Sequence, residues 1–197
     1  MSEAYAFKEE QKFTYADYKT WELKPGERFE LIYGEAYAMS APAIVHQRIL
    51  MKLAGECYVF LKGKKCEVFA APVDVRLFYE EDESDDTVVQ PDIIVVCDSE
   101  KLGDEGCRGA PDLVVEILSP SNTAIEMERK LNLYREALVR EYWVVDPKNK
   151  HIRIYHLRNS DLRNEEYLLQ TCRIDDVIRT DILPGLEIPV ADVFAES

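Results

Sequence analysis

Two carboxylates and a lysine are the residues whose types and spacing could do chemistry. Glu116 lies inside "DLVVEILS" (112–119), among Leu113, Val114, Val115, Ile117 and Leu118. A run apolar at both alternating positions predicts a central strand covered on each side. An ionised side chain there is costly unless something compensates it. Asp92 opens a second such run, "DIIVVC" (92–97), directly after Pro91. Proline cannot donate to a ladder, so it marks a strand entry or a bulge. Two carboxylates from neighbouring core strands, converging where the sheet begins to open, form a hard oxygen-donor site. Mg²⁺ or Mn²⁺ suits it, because these ions take few protein ligands and leave the rest to water and substrate phosphate. The cation would supply the charge that Glu116 lacks.

Lys130 is the third member. From the strand end near Ser119 back to Glu116 is about 10 Å. From a helix start near Asn122 forward to Lys130 is roughly 12 Å. If the helix folds back along its strand, the two side chains lie at similar height in adjacent layers. An ammonium there would orient an attacking water and stabilise charge developing on a phosphate. Each residue also has a plainer reading. Glu116 could pair with an arginine such as Arg76, Asp92 could be a strand-entry turn residue, and Lys130 could form an i,i+4 surface pair with Glu126.

The elements that must position these residues follow from pattern. "FTYADYKTWEL" (13–23) predicts a short helix opening at Thr14, and "RFELIYGEAYAM" (28–39) a hairpin joined around Gly34-Glu35. Helical spacing runs from Ala43 to about Lys62, with Val45, Ile49, Leu53 and Phe60 as core candidates and Gly63 ending it. Strands are expected at 66–70, 73–79, 92–97 and 112–119. A helix then starts near Ser121 or Asn122 and runs to about Leu138. Further strands fall at 141–146, 151–157 and near "EYLLQTC", and "VADVFAES" is a last amphipathic segment. The fold class is α/β: a mixed β-sheet flanked by helices, with an extra hairpin near each end. The length fits one domain over 1–197, with a core at about 28–147 and a C-terminal β extension at about 148–197.

Composition bounds the partners. The net charge is -14, of which "EEDESDD" (80–86) supplies six as a solvated loop, leaving -8 elsewhere. That balance argues against strong non-specific DNA affinity. Five cysteines (Cys57, Cys66, Cys97, Cys107, Cys172) with no C-x-x-C pair read as reduced core thiols of a cytosolic protein. The start, "MSEAYAFKEE", has no apolar h-region, and no run reaches membrane-spanning length, so a cytoplasmic protein with no membrane partner is expected. In "KNKHIRIYHLR" the alternation places His151, Arg153 and Tyr155 on one face. That is either a strip for a nucleic-acid backbone or, more simply, a plain edge hairpin.

The ordered set "FELIYGEAYAMS", His46, "QPDIIVV", "LVVEILSPS", "RKLNLYREA" and "EYWVVDP" resembles the PD-(D/E)XK, restriction-endonuclease-like superfamily. More narrowly it is similar to a bacterial family of candidate restriction endonucleases, formerly a domain of unknown function, over roughly residues 10 to 190. The resemblance implies Asp92, Glu116 and the main-chain carbonyl of Ile117 as metal ligands, with water as the nucleophile. The lysine expected two residues after the glutamate is Leu118 here, and Lys130 on the following helix becomes its equivalent. Glu30 corresponds to the family's N-terminal acid, able to hold a metal-bound water or a second ion. His46, in the first turn of the long helix, could contact the phosphate or the acids. Taken alone, Glu30 reads as an exposed cross-strand residue and His46 as a surface histidine at a helix start.

The function this implies is Mg²⁺-dependent hydrolysis of phosphodiester bonds in DNA, by a homodimer on the analogy that two strands need two sites. The alternative is a nuclease-fold protein that no longer cuts and serves as a binding or assembly module. A third reading, two carboxylates for glycoside hydrolysis, leaves Lys130 without a role.

Overall fold

The computed structural model describes residues 12–120, 122–157 and 167–196. The expected leader-free start at 1–10 and a helix opening at Ser121 lie outside the described residues. The first part of the chain forms α1 (Tyr15–Tyr18), β1 (Phe29–Ile32), β2 (Glu35–Ala38) and α2 (Ile44–Leu61). Next come β3 (Glu67–Ala70), β4 (Val75–Arg76), β5 (Val88–Val89), β6 (Ile93–Val96), β7 (Leu102–Gly103), β8 (Gly106–Arg108) and β9 (Leu113–Ile117). After α3 (Ala124–Glu136) follow β10 (Glu141–Asp146), β11 (His151–Leu157), β12 (Tyr167–Cys172), β13 (Val177–Ile178), β14 (Ile188–Pro189) and α4 (Val190–Phe194).

The strands do not make one sheet. Among the described residues they form two six-stranded sheets, ordered β2-β1-β5-β4-β8-β7 and β12-β11-β10-β9-β6-β3, and a small β13-β14 pair. The second sheet is mixed: β9 and β10 run parallel, while β3-β6, β6-β9, β10-β11 and β11-β12 are antiparallel. A parallel pair needs a crossover, and α3 provides it.

Alternation along the strands sends side chains to two faces. Ile93, Val95, Leu113, Val115, Ile117, Trp143, Val145, Ile152 and Ile154 point one way, into a core shared with α2 and α4. Ile94, Val96, Val114, Tyr142 and Val144 point the other way and pack on Leu133 and Tyr134 of α3 and on Ile32, Val75 and Val89 of the first sheet. Glu116 and Val144 share that second face, so the glutamate sits between the two sheets, under α3.

Several expectations need correction. Residues 151–157 are not an edge hairpin, because β11 pairs with β10 on one side and β12 on the other. The 73–79 run pairs only at Val75–Arg76. Val45 is 46% exposed, since the core face of α2 begins at His46 and Ile49. The acidic loop is not wholly solvated. Asp85 is buried and accepts from both the Nε and an Nη of Arg76, whose guanidinium also lies 3.9 Å over the Tyr15 ring.

The reduced-thiol reading also changes. Cys66 and Cys97 form a disulfide, while Cys57, Cys107 and Cys172 are free and buried. The cause is register. Glu67 lies opposite Val96, and continuing the antiparallel ladder by one residue puts Cys66 beside Cys97. A separation of 31 residues gave no local signal of this.

Candidate active site

Strand pairing brings the two acids together. Ile93 lies opposite Val115, so one further step of the antiparallel register sets Asp92 beside Glu116. Asp92 stands where β6 begins, and its Oδ2 accepts from the Ile117 N–H at 2.7 Å and lies 3.1 Å from His46 Nε2. The backbone N–H at the end of β9 is thereby satisfied by a carboxylate rather than by a strand.

The helix after β9 supplies the cation. Its start is fixed by a capping box in which the Thr123 side chain accepts from the Glu126 N–H and the Glu126 carboxylate accepts from the Thr123 N–H. With the start set, Lys130 and Tyr134 lie one helical turn apart on one face. Both donate to the same atom, Glu116 Oε1, from 3.1 Å and 2.6 Å. Lys130 Nζ also donates to Glu30 Oε1 at 2.6 Å, and that oxygen accepts from the Gln90 N–H at 2.9 Å. Glu30 alternates with Leu31 on β1 and shares its face with Ile32, so it points between the sheets. One ammonium is therefore shared by a carboxylate from each sheet.

Burial dominates the electrostatics. Removal from water pushes the Glu116 carboxyl up to about 7; the Lys130 ammonium opposes this, and the charges of Asp92 and Glu30 add to it. Desolvation alone would lower Lys130, but Glu116 and Glu30 outweigh it and hold the ammonium above the ordinary lysine range. The Tyr134 phenol is driven well up, by burial first and then by the two acids. It stays a hydrogen-bond donor.

The structure thus gathers Asp92, Glu116, Lys130, Glu30 and His46, with Ile117 contributing backbone. The plainer readings of Glu116, Lys130, Glu30 and His46 are corrected, while Asp92 does stand at a strand entry. Arg76 pairs with Asp85 and not with Glu116. Glu126 is used in the helix cap, not in a surface pair with Lys130. Glu30 and His46 are buried, at 6% and 7% exposure, because one faces α3 and the other faces Asp92. Tyr134 is the residue that sequence reasoning missed. Its position four after Lys130 was the available signal.

Among the described residues, no group of three or more His, Cys, Asp or Glu is arranged to hold a metal ion. The smaller donor set of Asp92, Glu116 and the Ile117 carbonyl still fits Mg²⁺ or Mn²⁺, which accept few protein ligands, all oxygen. The charge balance agrees. Two acids share one lysine and a third, Asp92, stands beside Glu116, and the crowding helps to raise Glu116. A further positive charge is what this group lacks.

Comparison with known proteins gives the chain its relatives. The Uma2 family, described as "Putative restriction endonuclease", matches residues 15–191. An uncharacterized protein of Synechocystis sp. (strain ATCC 27184 / PCC 6803 / Kazusa) is 28% identical over 151 residues, covering 76% of each chain. The crystal structure of a "putative nuclease belonging to DUF820" from Anabaena variabilis ATCC 29413 superposes with a TM-score of 0.72 at 17% identity. That match covers 92% of this chain and 97% of the other, and it establishes a common fold. The family match spans every side chain gathered between the two sheets, and the chain belongs to the restriction-endonuclease-like Uma2 family.

Proposed function

We propose that the protein is a metal-dependent endonuclease that hydrolyses phosphodiester bonds in DNA. The observation that carries this is Lys130 Nζ lying within hydrogen-bond reach of Glu116 and Glu30 while Asp92 stands beside Glu116 in strand register. The family description supports the reaction class.

Asp92, Glu116 and the Ile117 carbonyl would hold Mg²⁺ or Mn²⁺. Such an ion polarises a phosphate oxygen and makes water a better nucleophile near neutral pH. The chain's own residues do the rest. Lys130 stays protonated, orients the attacking water and offsets charge building on the phosphate. Tyr134 and Lys130 fix one Glu116 oxygen, leaving the direction of the other set by the same rotamer. Glu30 holds the lysine from the far side. His46 fixes the Asp92 carboxylate by contact with Oδ2. Cutting both strands needs two such sites, which a cytoplasmic homodimer would supply.

The test is cleavage of supercoiled, linear and single-stranded DNA with Mg²⁺ or Mn²⁺. Wild type should cut at least one form, and Asp92→Ala and Glu116→Ala should lose cutting by at least a hundredfold, on the order of what removing a transition-state electrostatic contact costs. Mn²⁺ should also raise the melting temperature of wild type and not of either variant. Absence of both cleavage and metal stabilisation in the wild type would sink the proposal and leave a nuclease-fold binding module.

A further inference from the structure

The same sheet carries one more cation on the active-site face. Glu116 pairs with Val144 across the parallel β9-β10 ladder, and Val144 pairs with Arg153 across the antiparallel β10-β11 ladder. Residues directly opposite share a face. Asp92, Glu116, Val144 and Arg153 therefore form one row across four strands. The flanking residues leave Arg153 no choice of direction. Ile152 and Ile154 are fully buried in the core on the opposite face, under α2 and α4. Two strand spacings put the Arg153 backbone roughly 10 Å from that of Glu116.

Arg153 has no counter-ion among the described residues. Among the described residues, Arg76, Arg140 and Arg179 each pair with a carboxylate, and Arg129 lies 3.9 Å over the Tyr37 ring. Arg153 makes no such ion pair, and its Nε, like that of Arg129, is a buried donor without a partner among the described residues. This occurs in a chain with 38 acids against 24 bases, where a spare carboxylate is easily come by. A half-buried guanidinium left unmatched costs stability, and an incoming oxyanion would recover it. Val144, a small apolar side chain 2% exposed, stands between Arg153 and Glu116 in this row.

We propose that Arg153 binds a backbone phosphate flanking the scissile one, as a second anchor for DNA on the sheet floor. The inference rests on the nuclease reading above and deepens it by naming where the strand is held. A planar fork of donors matches phosphate oxygens two at a time. A fixed cation in the row also answers the acidic total, because attraction is needed only along the path of the strand.

Two variants of the full chain test it. Arg153→Met keeps the packing of the stem and removes the charge; Arg153→Lys keeps the charge and removes the fork. Binding of labelled duplex DNA is measured by fluorescence anisotropy in EDTA at several salt concentrations, and KM and kcat for cleavage are measured in Mn²⁺. Arg153→Met should raise KM by about tenfold with kcat little changed, and make the plot of log affinity against log salt shallower by about one contact. Arg153→Lys should keep the salt slope with an intermediate KM. If wild type cuts DNA but the two variants show its KM and salt slope, the anchor is wrong and the nuclease reading stands. If Arg153→Met does not fold, an unchanged KM in Arg153→Lys overturns the anchor by itself. If wild type neither binds nor cuts, both fall together.

Discussion

Glu116 holds its proton more tightly than an ordinary glutamate because burial outweighs the pull of Lys130. A carboxyl whose folded-state value rises from near 4.5 to about 7 stabilises the fold below pH 4.5 and loses that contribution as pH climbs through 7. Metal-free protein should therefore lose up to about 3 kcal/mol of stability between pH 5 and 8 from this one group. Urea unfolding across that range measures it, and Glu116→Gln should flatten the curve. Lys130→Met removes the ammonium shared by Glu30 and Glu116 and should cost about 3 kcal/mol at pH 8. Adding Glu116→Gln to that variant should return part of the loss, and strict additivity would show that the pair does not interact. Tyr134→Phe deletes a donor that favours the charged glutamate, so an NMR titration should find the carboxyl moved further up from about 7.

The helix α3 has a low mean hydropathy and needs its cap and its buried face to hold position. Thr123→Ala removes the hydroxyl that accepts from the Glu126 N–H, one half of the capping box, and should destabilise the protein by about 1 kcal/mol in thermal unfolding. Because Lys130 hangs two turns further on, the same change should loosen its contacts with Glu30 and Glu116. This helix also shows how much could be read in advance. A height count along β9 and α3 placed Lys130 near Glu116, and the contact is 3.1 Å. It worked because strand and helix rises are fixed by backbone geometry. Beyond the meeting of Asp92 and Glu116, what non-local contacts set could not be read: the Cys66–Cys97 bridge, the inner place of β11, and the burial of Glu30 and His46. Their sequence neighbours carry no trace of the partner strand.

For the whole molecule, the division into two sheets was the feature least legible. β4, β5, β7 and β8 are two or three residues long, too short for alternation to reveal a sheet of their own. The acidic run 80–86 hid a structural residue for a similar reason, since Asp85 differs from its neighbours only in meeting Arg76. Asp85→Ala leaves that buried arginine uncompensated and should cost about 3 kcal/mol, whereas Glu81→Ala, in the same run but exposed, should leave the melting temperature unchanged. Differential scanning fluorimetry separates the two.

Lys130 touches Glu30 in one sheet and Glu116 in the other, while itself belonging to neither. It works as a rivet through a seam. If the smaller sheet were to peel back while β9, β10 and β11 kept their ladders, most of the secondary structure would survive and the chemistry would not. A molecule so built would fall silent at the first opening of that seam, well before it could be called unfolded.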